Sequence, residues 1–277
     1  MKINAVTACW SSLPYQQAVQ KIAEGTIEPI LGQLSYDHVQ LCPQHPDYIS
    51  FELLDILQEK YPDIQFRLHS DIRLINKRGL TIDLVDFTPE NLWYFKTLAE
   101  FSNYIHAPAY SLHAGVRKIT IEQLIENYHH LQELFDCPIA IEGHYPFSNN
   151  KYLINSWSEY ETIFRSGVNF ALDLSHLNIV AHREGWQLDL TKEMLASPQC
   201  KEIHISFNEG QMDNHLIATH EQKKLWDLFK SLIEDSSPSA DIFSEGNQVL
   251  HLRLATCPKQ EFTPKNKQAI LALIYLI

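Results

Sequence analysis

Residues 201–220 read KEIHISFNEGQMDNHLIATH, and EQKKLWDLFKSLI follows at 221–233. KEIHIS alternates as a strand does, with Ile203 and Ile205 on one face and Glu202 and His204 on the other. EQKKLWDLFKSLI places its apolar residues at helical spacing. The two make a βα unit, and the polar loop between them carries Asp213 and His215, which point the same way in an extended segment. Imidazole and carboxylate together suit zinc, iron or manganese better than calcium or magnesium, which prefer shells of oxygen.

The same alternation runs outward in both directions. Short apolar runs stand at INAVTAC (3–9), HVQLC (38–42), IQFRLHS (64–70), AYSLHAG (109–115), IAIEGH (139–144), VNFALDLSH (168–176) and ADIFSEG (240–246). Helical patterns lie between them: LPYQQAVQKIAEGTIEPILGQL (13–34), YISFELLDILQEKY (48–61), TPENLWYFKTLAEFSNYI (88–105), TIEQLIENYHHLQELF (120–135), WSEYETIFRSG (157–167) and LTKEMLAS (190–197). Thr88 is expected to cap its helix, with Pro89 at the first helical position. QVLHLRLA (248–255) fits either an added strand or part of the last helix, and the tail AILALIYLI (269–277) reads as the buried face of a closing helix. Strands alternating with helices predict a parallel sheet. Eight such units in 277 residues, with no linker-like run, predict an α/β fold of the (β/α)8 TIM-barrel type in one domain spanning 1–277.

Composition narrows the function. With 22 basic and 34 acidic residues the formal charge is −12, which opposes binding to a phosphate backbone, so no nucleic-acid partner is expected. Cys9, Cys42, Cys137, Cys200 and Cys257 are scattered, without a C-x-x-C pair, so neither a disulfide framework nor a thiolate zinc site is indicated and a reducing cytoplasm is expected. The N-terminus lacks the apolar run of a signal peptide and the apolar tail is too short to span a bilayer, so no membrane partner is expected. Fourteen histidines are roughly twice an ordinary share, which calls for a reason.

In a TIM barrel the chemistry lies at the carboxyl ends of the strands. At those ends stand His69, His113, Glu142, Asp173 with His176 just beyond it, His204 and Glu245, and the loop after KEIHIS can swing in Asp213 and His215. Five histidines and four carboxylates exceed what one ion takes, so two or three divalent metals are implied. Three such ions would leave the pocket net positive and attractive to an anion, a thiolate or an ionisable water. Glu142 and Glu245 are the candidate catalytic carboxylates. His144 is placed to line the pocket or orient a ligand. His129 and His130 read as solvated, Cys42 and His45 as parts of a turn around Pro43 and Pro46, and Arg73, Arg117 and Arg183 as loop residues that either bind a substrate carboxylate or lie on the surface.

Over essentially the whole chain these residues resemble the xylose isomerase-like TIM barrels, and the nine-residue set is similar to the trinuclear site of endonuclease IV. That resemblance implies a first metal on His69, His113 and Glu142, with Glu142 bridging to a second on Asp173, His204 and Glu245. A third would lie on His176, Asp213 and His215. EIHISFNEGQMDNHLIATHEQKKLWDLFKSL and ALDLSHLNIVAHREGWQLD are closer still to the seventh and sixth units of the multinuclear non-haem iron-dependent oxidative enzymes, the methanobactin-biosynthesis type. Where that family more often has Asn, this chain has His176. The resemblance implies iron, with zinc or manganese as alternatives, a cysteine in a small ribosomally made peptide as substrate, and a partner protein that presents the peptide. Two other activities compete. One is a sugar isomerase or epimerase using Glu142, Asp173, His204 and Glu245 on one ion, and the other is metal-assisted phosphodiester cleavage using all nine residues.

Overall fold

The computed structural model describes residues 1–70, 72–74, 82–147 and 150–256. Its strands are β1 (Asn4–Val6), β2 (Ile27–Glu28), β3 (Gly32–Gln33), β4 (Ser35–Leu41), β5 (Gln65–Leu68), β6 (Tyr110–His113), β7 (Ile139–Glu142), β8 (Phe170–Asp173), β9 (Cys200–Ile205) and β10 (Asp241–Ser244). Its helices are α1 (Tyr15–Glu24), α2 (Phe51–Lys60), α3 (Leu92–Tyr104), α4 (Ile121–Gln132), α5 (Trp157–Ser166), α6 (Leu174–Glu184), α7 (Leu188–Ala196), α8 (Lys223–Ile233) and α9 (Gln248–Thr256). Eight strands form one parallel sheet in the order β5-β4-β1-β10-β9-β8-β7-β6. The two ends of that order meet at the bridge His69↔Ser111 and the bond from Ser70 N to Ser111 O, 2.9 Å, so the sheet closes into a barrel. It closes at a candidate ligand.

The helices pack their apolar stripes on the outside of the sheet. In α1 the buried residues Tyr15, Ala18, Val19 and Ile22 follow the i, i+3, i+4, i+7 rule, and in α8 Trp226, Phe229, Leu232 and Ile233 do the same work. Each such large side chain contributes about 1.5–3 kcal/mol on full burial. Inside the barrel the lower layer is polar: Arg67 and Glu202 are 1% and 0% exposed and form an ion pair of 2.5 Å.

Three local expectations are corrected and one open choice is decided. The segment after Gly25 is not helical but the antiparallel β2–β3 hairpin, because Gly25 at φ 116° ends α1 and Pro29 lacks the amide a helix needs. Thr88 does not cap α3; it accepts from Asn91 N in a turn at 3.0 Å, and the helix begins at Leu92. Leu174–His176 are not strand but the first turn of α6, since Asp173 accepts from Ser175 N at 2.6 Å and His176 N at 3.2 Å and so caps a helix there. QVLHLRLA lies within α9, which settles the choice between strand and helix. The tail 269–277 and Cys257 lie outside the described residues.

Candidate metal centre

Six of the eight barrel strands deliver a candidate ligand at or next to their carboxyl end. His113, Glu142 and Asp173 end β6, β7 and β8, His204 is the penultimate residue of β9, and His69 and Glu245 directly follow β5 and β10. Parallel register places His113 beside Glu142 and Asp173 beside His204. The rings of His69 and His204 are 5.0 Å apart, and those of His69 and His113 5.4 Å.

Glu142 is central to the cluster. Its Oε2 lies 3.2 Å from His204 Nδ1 and 3.6 Å from His69 Nε2, and its Oε1 lies 3.7 Å from both His113 Nε2 and His176 Nδ1. Glu245 faces His204 Nδ1 through Oε1 at 3.8 Å and His215 Nδ1 through Oε2 at 3.5 Å. Asp213 Oδ2 stands between His215 Nε2, 2.8 Å, and His176 Nε2, 3.4 Å, while Asp173 Oδ2 is also 3.4 Å from His176 Nε2. Ser175 Oγ donates to Asp213 Oδ1 at 3.0 Å and so fixes the loop carboxylate from the start of α6. His215 reaches its place with φ 44°, in the left-handed region, its carbonyl accepting from Asn247 N at 2.8 Å. All nine predicted side chains are thus brought to one mouth.

The donor atoms fit metal ions. Ligand atoms of His69, His113 and Glu142, of Glu142, Asp173 and His176, and of Asp173, His204 and Glu245 each lie within 4.8 Å of one another. Glu142 Oε2, Asp173 Oδ2, His204 Nδ1 and His215 Nδ1 are buried and make no hydrogen bond. Buried polar atoms normally have a partner, and four orphans within one cluster call for cations. Electrostatics agree. Burial pushes Asp173 up to about 7, with His176 opposing and Asp213, Glu245 and Glu142 adding. At His176 burial pulls down, but Asp173, Asp213 and Glu142 outweigh it and raise the ring to about 10. His69 goes the other way, to about 4, because burial dominates over Glu142, and a neutral imidazole is a competent ligand.

The histidines read as lying outside the ligand set take these places. His144 stacks between His113, 4.8 Å, and Tyr152, 4.3 Å, and its Nε2 accepts from Gly115 N at 3.3 Å, which makes it a packing partner of the cluster. His129 and His130 are exposed in the last turn of α4. His45 Nδ1 bonds Leu13 O at 2.6 Å and Cys42 is buried against Gln40, as a turn requires. Arg73 donates to His45 O, Arg117 pairs with Glu159 and Arg183 with Glu184, so all three are engaged within the chain. Sequence reasoning gave no role to the layer beneath: Arg67, Ser111 and Glu202, of which only Glu202 had been placed on a ligand's face. The signal was present, since each sits two residues before His69, His113 or His204 and therefore on the same strand face.

No family model matches the chain, and no curated protein matches it. Solved structures do. A xylose isomerase domain containing protein from Salmonella typhimurium superposes with TM-score 0.62 at 12% identity over 99% of this chain and 97% of its own. D-psicose 3-epimerase, solved in the presence of D-fructose, gives 0.62 at 13% over 100% and 97%. Endonuclease IV from Thermus thermophilus gives 0.53 at 13% over 86% and 91%. The fold is therefore that of the xylose isomerase-like TIM barrels. No described helix is long and apolar enough to cross a membrane.

Proposed function

We propose that this chain is a multinuclear metal-dependent oxidative enzyme, using iron, that modifies a cysteine thiol in a small peptide with dioxygen as oxidant. The observation that carries the reading is the third trio. Asp213 and His215 come from a loop, not a strand end, yet Asp213 Oδ2 sits between His215 and His176 beside a cluster that is already ligand-rich. An epimerase needs one ion and leaves that trio, His69 and His113 without a role. His69, His113 and Glu142 would hold the first ion, Asp173, His204 and Glu245 the second with Glu142 shared, and His176, Asp213 and His215 the third.

Bound iron would supply redox chemistry and a positive site for a soft, anionic thiolate. The chain's own residues do the rest. Glu245, which faces both His204 Nδ1 and His215 Nδ1, is placed to take the thiol proton. Tyr145, packed on His176 at 5.0 Å, and Tyr152, stacked on His144, wall one side of the mouth against water. The chain's acidic balance supports a peptide over nucleic acid, and a partner protein that presents the peptide fits a mouth without a free cationic loop among Arg73, Arg117 and Arg183.

The test is oxygen consumption by iron-loaded protein with a cysteine peptide, which should require the thiol and fail with a serine peptide. Cleavage of abasic-site DNA by zinc-loaded protein, abolished in His215→Ala, would replace the reading with the hydrolytic one, which also uses all nine side chains.

A further inference from the structure

Beneath the mouth, Glu202 is wholly buried, yet both of its oxygens are satisfied by hydrogen bonds. Its Oε1 pairs with Arg67 Nη1 at 2.5 Å. Its Oε2 accepts from Ser111 Oγ at 2.7 Å, from Gln40 Nε2 at 2.8 Å and from His204 Nε2 at 3.0 Å. Proximity alone groups it with His69 and His204 as a trio able to hold an ion. Its bonding argues otherwise, because a ligand must keep a lone pair aimed at the metal, as orphaned Glu142 Oε2 does and Glu202 does not.

The donor directions are forced. Arg67 is donor only and holds Glu202 ionised, and an ionised carboxylate accepts from everything around it. His204 must then carry a proton on Nε2, so that the neutral, metal-binding form of the ring has its lone pair on Nδ1, facing Glu142 and Glu245. Ser111 gives its only proton to Glu202, so its oxygen accepts from His69 Nδ1 at 2.8 Å. His69 consequently carries its proton on Nδ1 and turns the Nε2 lone pair to Glu142, 3.6 Å away. Arg67 is itself tethered from below, donating Nε to His38 Nε2 at 2.9 Å and Nη2 to Asp241.

We infer that Glu202 is a positioning residue that sets, from one carboxylate, the opposite tautomers of His204 and His69, directly for the first and through Ser111 for the second. The barrel interior thereby prepares His204 to ligate through Nδ1 and His69 through Nε2. This inference rests on the proposed ligand set, and it assigns to the Arg67–Glu202 pair a role that a merely structural salt bridge would lack.

The experiment uses the full-length chain loaded with zinc alone, which is diamagnetic, and reads the protonated ring nitrogens by 15N NMR alongside zinc affinity by competition with a chelator. The wild type should show His204 protonated on Nε2 and His69 on Nδ1. Glu202→Gln should weaken zinc binding about 10–100-fold, the range seen when a carboxylate behind a ligating histidine is lost, and should perturb both proton signals. Should that variant fold poorly, Ser111→Ala is the milder probe: the His69 signal should change while that of His204 stays. Coordination of His204 through Nε2, a Glu202 oxygen bound to zinc, or a Ser111→Ala spectrum unchanged at His69 overturns the inference and leaves the ligand set standing. Failure of the wild type to take up zinc or iron removes the ligand set itself, and this inference with it.

Discussion

Replacing Arg67 by Leu tests the polar interior most directly. The side chain is 1% exposed and gives Nη1 to Glu202, Nη2 to Asp241 and Nε to His38, with its guanidinium 5.0 Å from the Phe243 ring. Leu keeps part of the stem packing but leaves Glu202 buried without a cation, and breaking a buried pair from one side costs about 3–5 kcal/mol. At about 2–3 °C per kcal/mol for a chain of this size, the midpoint should fall by roughly 6–15 °C. The pH dependence has a defined sign. In the wild type Glu202 is buried, yet Arg67 and His204 hold its carboxyl below the usual range, so it contributes stability present above the unfolded carboxylate pKa and lost on acidification. The Leu variant lacks that contribution, so its deficit should shrink as pH falls toward 4 and below. Thermal and urea melts followed by far-UV circular dichroism at several pH values supply the measurement. Arg67→Leu with Glu202→Leu should recover much of the loss, since an apolar pair of similar volume tolerates burial. A single variant within about 1 kcal/mol of wild type, or a double variant whose costs simply add, would refute the reasoning.

Other expectations follow from particular contacts. Glu142→Gln should lower metal content more than His113→Ala, because Glu142 faces four histidines within 3.7 Å; elemental analysis showing equal losses would count against the shared position. Glu28, buried beneath the mouth, accepts from Ala218 N at 2.9 Å and from Ser244 Oγ, so Glu28→Ala should leave those donors unpaired at about 1–3 kcal/mol and speed hydrogen exchange across the loop that carries Asp213 and His215. Unchanged protection there would exclude Glu28 as the clamp. Burial lowers His45 to about 4 from 6.5, so the unfolded state binds the proton first as pH falls. Its contribution is present above pH 6.5 and lost progressively down to pH 4, up to about 3 kcal/mol, and His45→Gln should flatten that window in acid melts.

Much was legible in the linear order of residues. Strand and helix periods differ, so the alternation of apolar runs set the βα repeat, and the rule that barrel chemistry gathers at carboxyl ends turned a scatter of histidines and acids into nine named positions. Local interactions that cross that pattern were less visible. Asp173 looked like the middle of a strand-like run, although its side chain also caps α6, and Gly25 with Pro29 turned half of a helical pattern into a hairpin whose Glu28 reaches under the mouth. What only tertiary structure decided is which nitrogen of each histidine faces inward. Tautomer and ring orientation depend on partners far away in sequence: Glu202 for His204, Ser111 for His69, Gly143 O for His176 Nδ1 at 2.9 Å. Closing the barrel at His69 and Ser111 brings those partners together, and no reading of one strand at a time contains the contact between two strands that makes them neighbours.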